Sequence, residues 1–189
     1  MENNFERAKK VLVVSSECDG EALAIRDCAS VFGALTTFAG IGRPSDFISV
    51  LSGQVVPDAD IVILCTHGDN GAFLMPELAA EVYFDDEPKI IDAETVSSCL
   101  ALKEKLIVST ACTTGTGDTA RRFSETGNDY VAPCDYIEGS AAFFFTVRFL
   151  YEHLALRKSA RDAFVSASES DPETKLFRFF PKGKVTEII

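Results

Sequence analysis

The chain has 189 residues, long enough to bury the core of one domain, which excludes a stapled mini-protein. Eighteen Lys and Arg against 29 Asp and Glu leave a formal charge of -11. That is the wrong sign for gripping a phosphate backbone, so nucleic acid is not an expected partner. At 47% apolar residues the composition is too hydrophobic for a disordered chain, and no uninterrupted apolar run is long enough for a membrane span, so no membrane partner is expected.

The first ten residues lead directly into a strand-like run without a signal-peptide core, and a single cytoplasmic domain over residues 1–189 is the expectation. Lys10 to Ser16 is the first strand, apolar on both faces as in a covered parallel sheet. A helix from about Glu21 to Phe32 follows, then a second strand at Ala34 to Ala39 and a helix at about Ser45 to Leu51. Asp60 to Thr66 is the third strand. Between Gly68 and Ile91 the pattern fits a loose hairpin built on Phe73 to Met75 and Glu81 to Phe84, with Pro76 and Pro88 as breakers. Asp92 is a candidate N-cap for a helix to about Leu102, Leu106 to Thr110 the fourth strand, Asp118 a cap for a helix to Thr126, and Asp129 to Ala132 the fifth strand. Ser140 to Leu156 is expected as one long helix with Phe143, Phe144, Val147, Leu150, Tyr151 and Leu154 on its apolar face. A helix at Ser159 to Ser168 and a strand at Lys175 to Phe180 close the chain. This alternation predicts an α/β fold: a three-layer α/β/α sandwich on a mostly parallel sheet of about six strands, the first strand beside the third.

The six cysteines are scattered without a C-x-x-C pair, and with only His67 and His153 beside them no metal site is expected. Two strand ends are different. The third strand runs into Cys65-Thr66-His67-Gly68 and the fourth into Thr110-Ala111-Cys112-Thr113-Thr114-Gly115. The carboxyl ends of parallel strands form the ligand crevice, and neighbouring strands lie about 4.8 Å apart, close enough for an imidazole to act on a thiol. His67 is therefore a candidate base and Cys112 a candidate nucleophile, since the thiolate is the reactive form and needs a base near neutral pH. The backbone N–H groups of Gly68 and Cys112 are candidate donors for an oxyanion.

Other chemistries fit less well. Gly115-Thr-Gly-Asp-Thr-Ala120 matches a dinucleotide pattern but follows the wrong strand. The position where a C-x5-R phosphatase loop needs Arg holds Asp118. Amidotransferases and α/β hydrolases place the nucleophile before the His in a glycine-flanked elbow, and a receiver domain needs an Asp at the end of the third strand.

The His67-Gly68 and Ala111-Cys112 blocks, forty-five residues apart, resemble those of the caspase-like cysteine peptidases. The nucleophile segment is most similar to the CHAT branch related to separase, which reads Ser-Ala-Cys-x-Thr-Gly where this chain has Thr110-Ala111-Cys112-Thr113-Thr114-Gly115. The resemblance implies a thiol endopeptidase acting on a protein or peptide substrate, with His67 as base, Cys112 as nucleophile and no cofactor. The chain departs from the family in having Pro133-Cys134 for its usual Leu-Trp pair, and it shows no repeat-containing sensor region. A regulatory protein partner would then supply any switch. A silent caspase-like module that binds a protein or peptide through the same cleft is the alternative.

The resemblance also places specificity residues at the ends of the first, fourth and fifth strands, where this chain has Glu17, Asp19, Thr110, Asp135 and Glu138. Acids there would select a Lys or Arg side chain in the substrate; the competing reading is that Asp19 and Asp135 cap a helix or turn. Glu77 to Glu94 adds seven acids and one Lys, either a solvated loop or a rim that steers basic peptides.

Overall fold

A computed structural model describes residues 7–79, 81–82 and 87–184. Its centre is a six-stranded sheet in the order β2-β1-β3-β7-β8-β9. The strands are β1 (Lys10–Ser15), β2 (Leu35–Gly40), β3 (Ile61–Cys65), β7 (Leu106–Ser109), β8 (Asp129–Pro133) and β9 (Phe177–Phe180). All neighbours pair parallel except β8 and β9, which run antiparallel. The sandwich is three-layered, as the alternation predicted, with the first strand beside the third.

Helices cover both faces because strand residues alternate between them. Val11, Val13, Ile61, Ile63 and Val108 face α1 (Asp19–Val31), α5 (Gly139–Leu150) and α6 (Ala160–Ser168). Leu12, Val14, Val62, Leu64 and Ile107 face α2 (Pro44–Leu51), α3 (Ala93–Cys99) and α4 (Gly117–Glu125). Pro44 opens α2, where its missing N–H costs nothing, and the Asp46 carboxylate accepts from the N–H groups of Gly42 and Arg43 at 3.0 and 3.1 Å. Asp92 caps α3 by accepting from Thr95 N–H at 2.8 Å. Asp118 does not cap α4; it lies inside the first turn, after Thr116.

The connection from β3 to α3 is not a single hairpin. It forms a second, antiparallel sheet of β4 (Gly68–Asp69), β5 (Ala72–Leu74) and β6 (Ile90–Ile91). The partner expected at Glu81 to Phe84 lies partly outside the described residues, and Glu81 and Val82 form a turn. Phe73 on β5 is fully buried against Phe47 and Phe123 and seats the small sheet on the α2 and α4 layer.

The last long helix also differs from expectation. α5 ends at Leu150 and continues as a π turn over Tyr151–Ala155. Its buried stripe is Ala142, Phe145, Thr146, Phe149 and Leu150, while Phe144 is exposed. The aromatic run Phe143 to Phe145 offers two overlapping stripes, and contact with β9 selects Phe145, which stacks on Phe177 with ring centroids 3.6 Å apart. No helix among the described residues is long and apolar enough to cross a membrane.

Phe145 also meets Phe149 and Phe164, so it ties α5 and α6 to the antiparallel edge. Phe145→Ala is expected to destabilise the fold by about 3–5 kcal/mol, read as a lower midpoint of urea unfolding; a cost under about 1 kcal/mol would show that this packing is not limiting.

Candidate active site

The strand order reverses direction between β1 and β3, because the chain goes outward from β1 to β2 and then returns past β1 to β3. Ligand crevices in open α/β sheets form at such a point, beyond the carboxyl ends of the strands. Cys18 follows β1 there, His67 follows β3, and Cys112 follows β7. Register keeps the three ends level: Ser15 pairs with Cys65 and Leu64 with Ser109, and Thr110 N–H donates to Leu64 carbonyl at 3.0 Å.

Beyond the sheet the His67 and Cys112 segments touch through their backbones. A Cβ placed at Gly68 would overlap the carbonyl oxygen of Cys112 and lie 3.1 Å from the carbonyl carbon and Cβ of Ala111. Only glycine allows this approach. Gly115 plays the same part against β8, where a Cβ would lie 2.5 Å from Ala132 carbonyl oxygen.

Thr113, directly after Cys112, has φ +62°, a left-handed conformation that a β-branched residue adopts at a cost of about 1–3 kcal/mol. Three contacts hold it there. Thr113 N–H donates to Asp135 carbonyl at 3.2 Å, Gly71 N–H donates to Thr113 Oγ1 at 2.9 Å, and Thr116 Oγ1 donates to Thr113 carbonyl at 2.6 Å. The turn leaves Cys112 N–H without a hydrogen bond among the described residues. Gly68 N–H is free for a different reason. Leu74 N–H donates to His67 carbonyl at 3.0 Å, so His67 and Leu74 are a hydrogen-bonded pair. By alternation the pairing of Gly68 with Phe73 is non-bonded, and Gly68 N–H points away from β5. Among the described residues both N–H groups expected to hold an oxyanion are thus unengaged, on segments in contact.

The two side chains themselves are not paired. Cys112 Sγ donates to the Ile137 carbonyl at 3.7 Å, and His67 Nε2 instead faces Cys18 Sγ at 3.8 Å. Adjacency of the strand ends holds, but a direct hydrogen bond from the Cys112 thiol to the imidazole is absent in this arrangement. Cys18 is the residue that sequence reasoning missed. Its one signal was its place three residues past the end of β1, after Glu17, whose φ of +60° turns the chain inward. Burial raises the Cys18 thiol pKa to about 11, helped by Glu21, Glu17, Asp19 and Cys112. Opposite, the Tyr136 hydroxyl donates to Asp69, and that bond raises the Tyr136 pKa.

The acids expected to set specificity fall in varied places. Glu17, Asp19, Asp135 and Glu138 are exposed, and Thr110 is buried. Asp19 accepts from Ser15 Oγ at 2.7 Å, and Asp135 accepts from Tyr136 N–H at 2.7 Å. Glu138 precedes α5, with no side-chain cap bond. A second missed residue is Glu21, an acid in the first turn of α1. Its Oε1 is buried with no hydrogen-bond partner. Burial raises its pKa, while the Thr110 hydroxyl and the charge of His67 pull it down.

A cavity of about 510 Å³ lies on the other side of the Cys112 turn, lined by Asn70, Gly71, Asp92, Thr116, Asp118 and Arg122 among others, with neither His67 nor Cys112 on its wall. Two of its acids are engaged elsewhere, Asp92 as the α3 cap and Asp118 in an ion pair with Arg121 at 2.6 Å. All six cysteines are free, and no group of three or more His, Cys, Asp or Glu among the described residues is arranged to hold a metal ion.

No family model matches the chain, and no curated protein matches it. Among solved structures, fructose-bisphosphate aldolase from Slackia heliotrinireducens DSM 20476 aligns at 12% identity with a TM-score of 0.26. The alignment covers 87% of this chain and 54% of that one, so this chain spans about half the length of the aldolase; likeness at that level carries no argument about activity.

The raised pKa of Glu21 has a thermodynamic sign. A folded state that holds the proton more tightly than the unfolded one loses stability as pH rises from the unfolded pKa through the folded one. Glu21→Gln is therefore expected to raise Tm relative to the parent chain at pH 7–8, with the gain disappearing below about pH 4. Thermal melts across pH check this; equal Tm values throughout would place Glu21 in a water-like setting.

Proposed function

We propose that the chain is a caspase-like cysteine endopeptidase, with Cys112 as nucleophile and His67 as general base. The observation that carries the reading is the backbone contact of Gly68 with Ala111 and Cys112, which joins a His strand end to a Cys strand end and leaves an unengaged N–H on each. In the reaction His67 takes the Cys112 proton, the thiolate attacks the scissile carbonyl, and the N–H groups of Gly68 and Cys112 receive the oxyanion. The imidazolium then protonates the leaving amine, and water releases the acyl group from sulfur.

For the substrate we propose a peptide cleaved after Lys or Arg. Glu21 offers a buried carboxylate oxygen in need of a donor, beside Thr110 and His67, and Glu17 and Asp19 add negative potential at the rim. A charge-assisted hydrogen bond to such an oxygen contributes about 1.5–3 kcal/mol, tenfold or more in selectivity. A cytoplasmic setting with a regulatory protein partner completes the proposal.

The second reading, a silent module that binds a peptide in the same cleft, draws on the position of the two side chains: Cys112 Sγ on Ile137 carbonyl and His67 Nε2 on Cys18.

An acyloxymethyl ketone probe carrying Arg at the cleavage position separates the readings. The peptidase predicts labelling of Cys112 under reducing conditions that is lost in Cys112→Ala and His67→Ala, and at least tenfold slower labelling by the Asp analogue. A folded protein that no such probe labels, over a panel of side chains, leaves the binding module; faster labelling by the Asp analogue overturns the basic specificity.

A further inference from the structure

Cys18 lies outside the dyad reasoning, and its thiol is the one in contact with the proposed base. We propose that Cys18 is a gating residue: in the resting state its thiol holds Nε2 of His67 away from Cys112, so that Cys112 becomes nucleophilic only when Cys18 withdraws. This rests on the reading of His67 as the base for Cys112.

Four observations point the same way. His67 Nε2, the nitrogen that faces a sulfur, faces that of Cys18 at 3.8 Å. The Cys112 thiol is turned to Ile137 carbonyl at 3.7 Å rather than to the imidazole. Cys18 occupies the N-cap position of α1 without forming a side-chain cap bond, so its thiol has no part in holding the helix. The groups whose charge acts on that thiol are Glu21, Glu17, Asp19 and Cys112, each able to carry only negative charge. Burial first, and those charges after it, raise the Cys18 thiol pKa, which favours the protonated thiol, a form able to donate to Nε2.

Glu17, Asp19 and Gly20 around Cys18 are exposed, whereas the α1 residues that anchor the helix, Ala22, Ile25 and Ala29, come later. In this proposal, rotation of the Cys18 side chain frees Nε2 while Ala22, Ile25 and Ala29 stay packed. His67 then accepts the Cys112 proton at Nε2, giving a thiolate and an imidazolium; one S–H bond breaks, one N–H bond forms, and no other reactant is consumed.

The test is the rate at which iodoacetamide alkylates Cys112, resolved from the other cysteines by peptide mass spectrometry, in the full chain and in Cys18→Ala, His67→Ala and the double variant. The expected result is a several-fold faster reaction at Cys112 in Cys18→Ala at pH 7, with the midpoint of its pH profile moved lower. Neither change is expected when Cys18→Ala is added to His67→Ala. An unchanged or slower rate in Cys18→Ala, or a gain that persists without His67, overturns the proposal. Cys18→Val, which fills the thiol's space without a donor, repeats the test should the alanine variant melt early. Peptide turnover plays no part in this readout: accelerated alkylation in a Cys18→Ala protein that cleaves no peptide would sink the peptidase reading and leave the gate standing.

Discussion

Parallel pairing of β3 with β1 on one side and β7 on the other is the constraint on which the site depends. Parallel ladders bring strand ends of like polarity to one edge, and the pairs Ser15 with Cys65 and Leu64 with Ser109 set those ends level. A one-residue slip of β3 would exchange its two faces, sending Ile61, Ile63 and Cys65 toward the α2 and α4 layer and Val62 and Leu64 toward α1 and α5. Burial on both sides forbids that exchange, so the same hydrophobic alternation that stabilises the sheet also aligns Cys18, His67 and Cys112. The final approach is a matter of backbone. Gly68 lets two turns meet, and Thr113 is held left-handed by contacts from β8's end, from the β4–β5 turn and from Thr116.

Much of this was legible in the residues. Strand β3 is an uninterrupted apolar run, and the His67-Gly68 pair just beyond it marks the end of the strand and a candidate site by residue type. The layer order followed from alternation of strands and helices. What could not be read was side-chain direction among near-equivalent choices. Phe143, Phe144 and Phe145 are equal candidates for a buried stripe until β9 supplies Phe177. Strand β6 is only Ile90 and Ile91, too short to carry a period of its own, and it exists because Phe73 and Leu74 need partners. Cys18 and Glu21 escaped notice because one looks like a helix boundary and the other like an ordinary first-turn acid that complements the helix dipole. Their importance arises only after β1 is placed beside β3.

The negative charge of the chain acquires a distribution. Glu17 and Asp19 stay in water at the rim, and Glu21 brings one carboxylate oxygen below the surface. Water screens the first two, so their effect is long-range and salt-dependent. Glu21 acts at short range because few waters reach it, and the same shielding makes its ionised form costly.

Parallel topology has a kinetic side as well. Cys18 and His67 are forty-nine residues apart in the chain, and forty-five more separate His67 from Cys112. No local element joins any two of them. Each pairing closes a long loop before hydrophobic contact rewards it, which makes parallel sheets slow to assemble. The crevice therefore forms after the sheet's middle strands have zipped together, although Cys18 and His67 precede Cys112 in the chain. The Cys18–His67 contact therefore exists only once β1 and β3 have paired across that long loop.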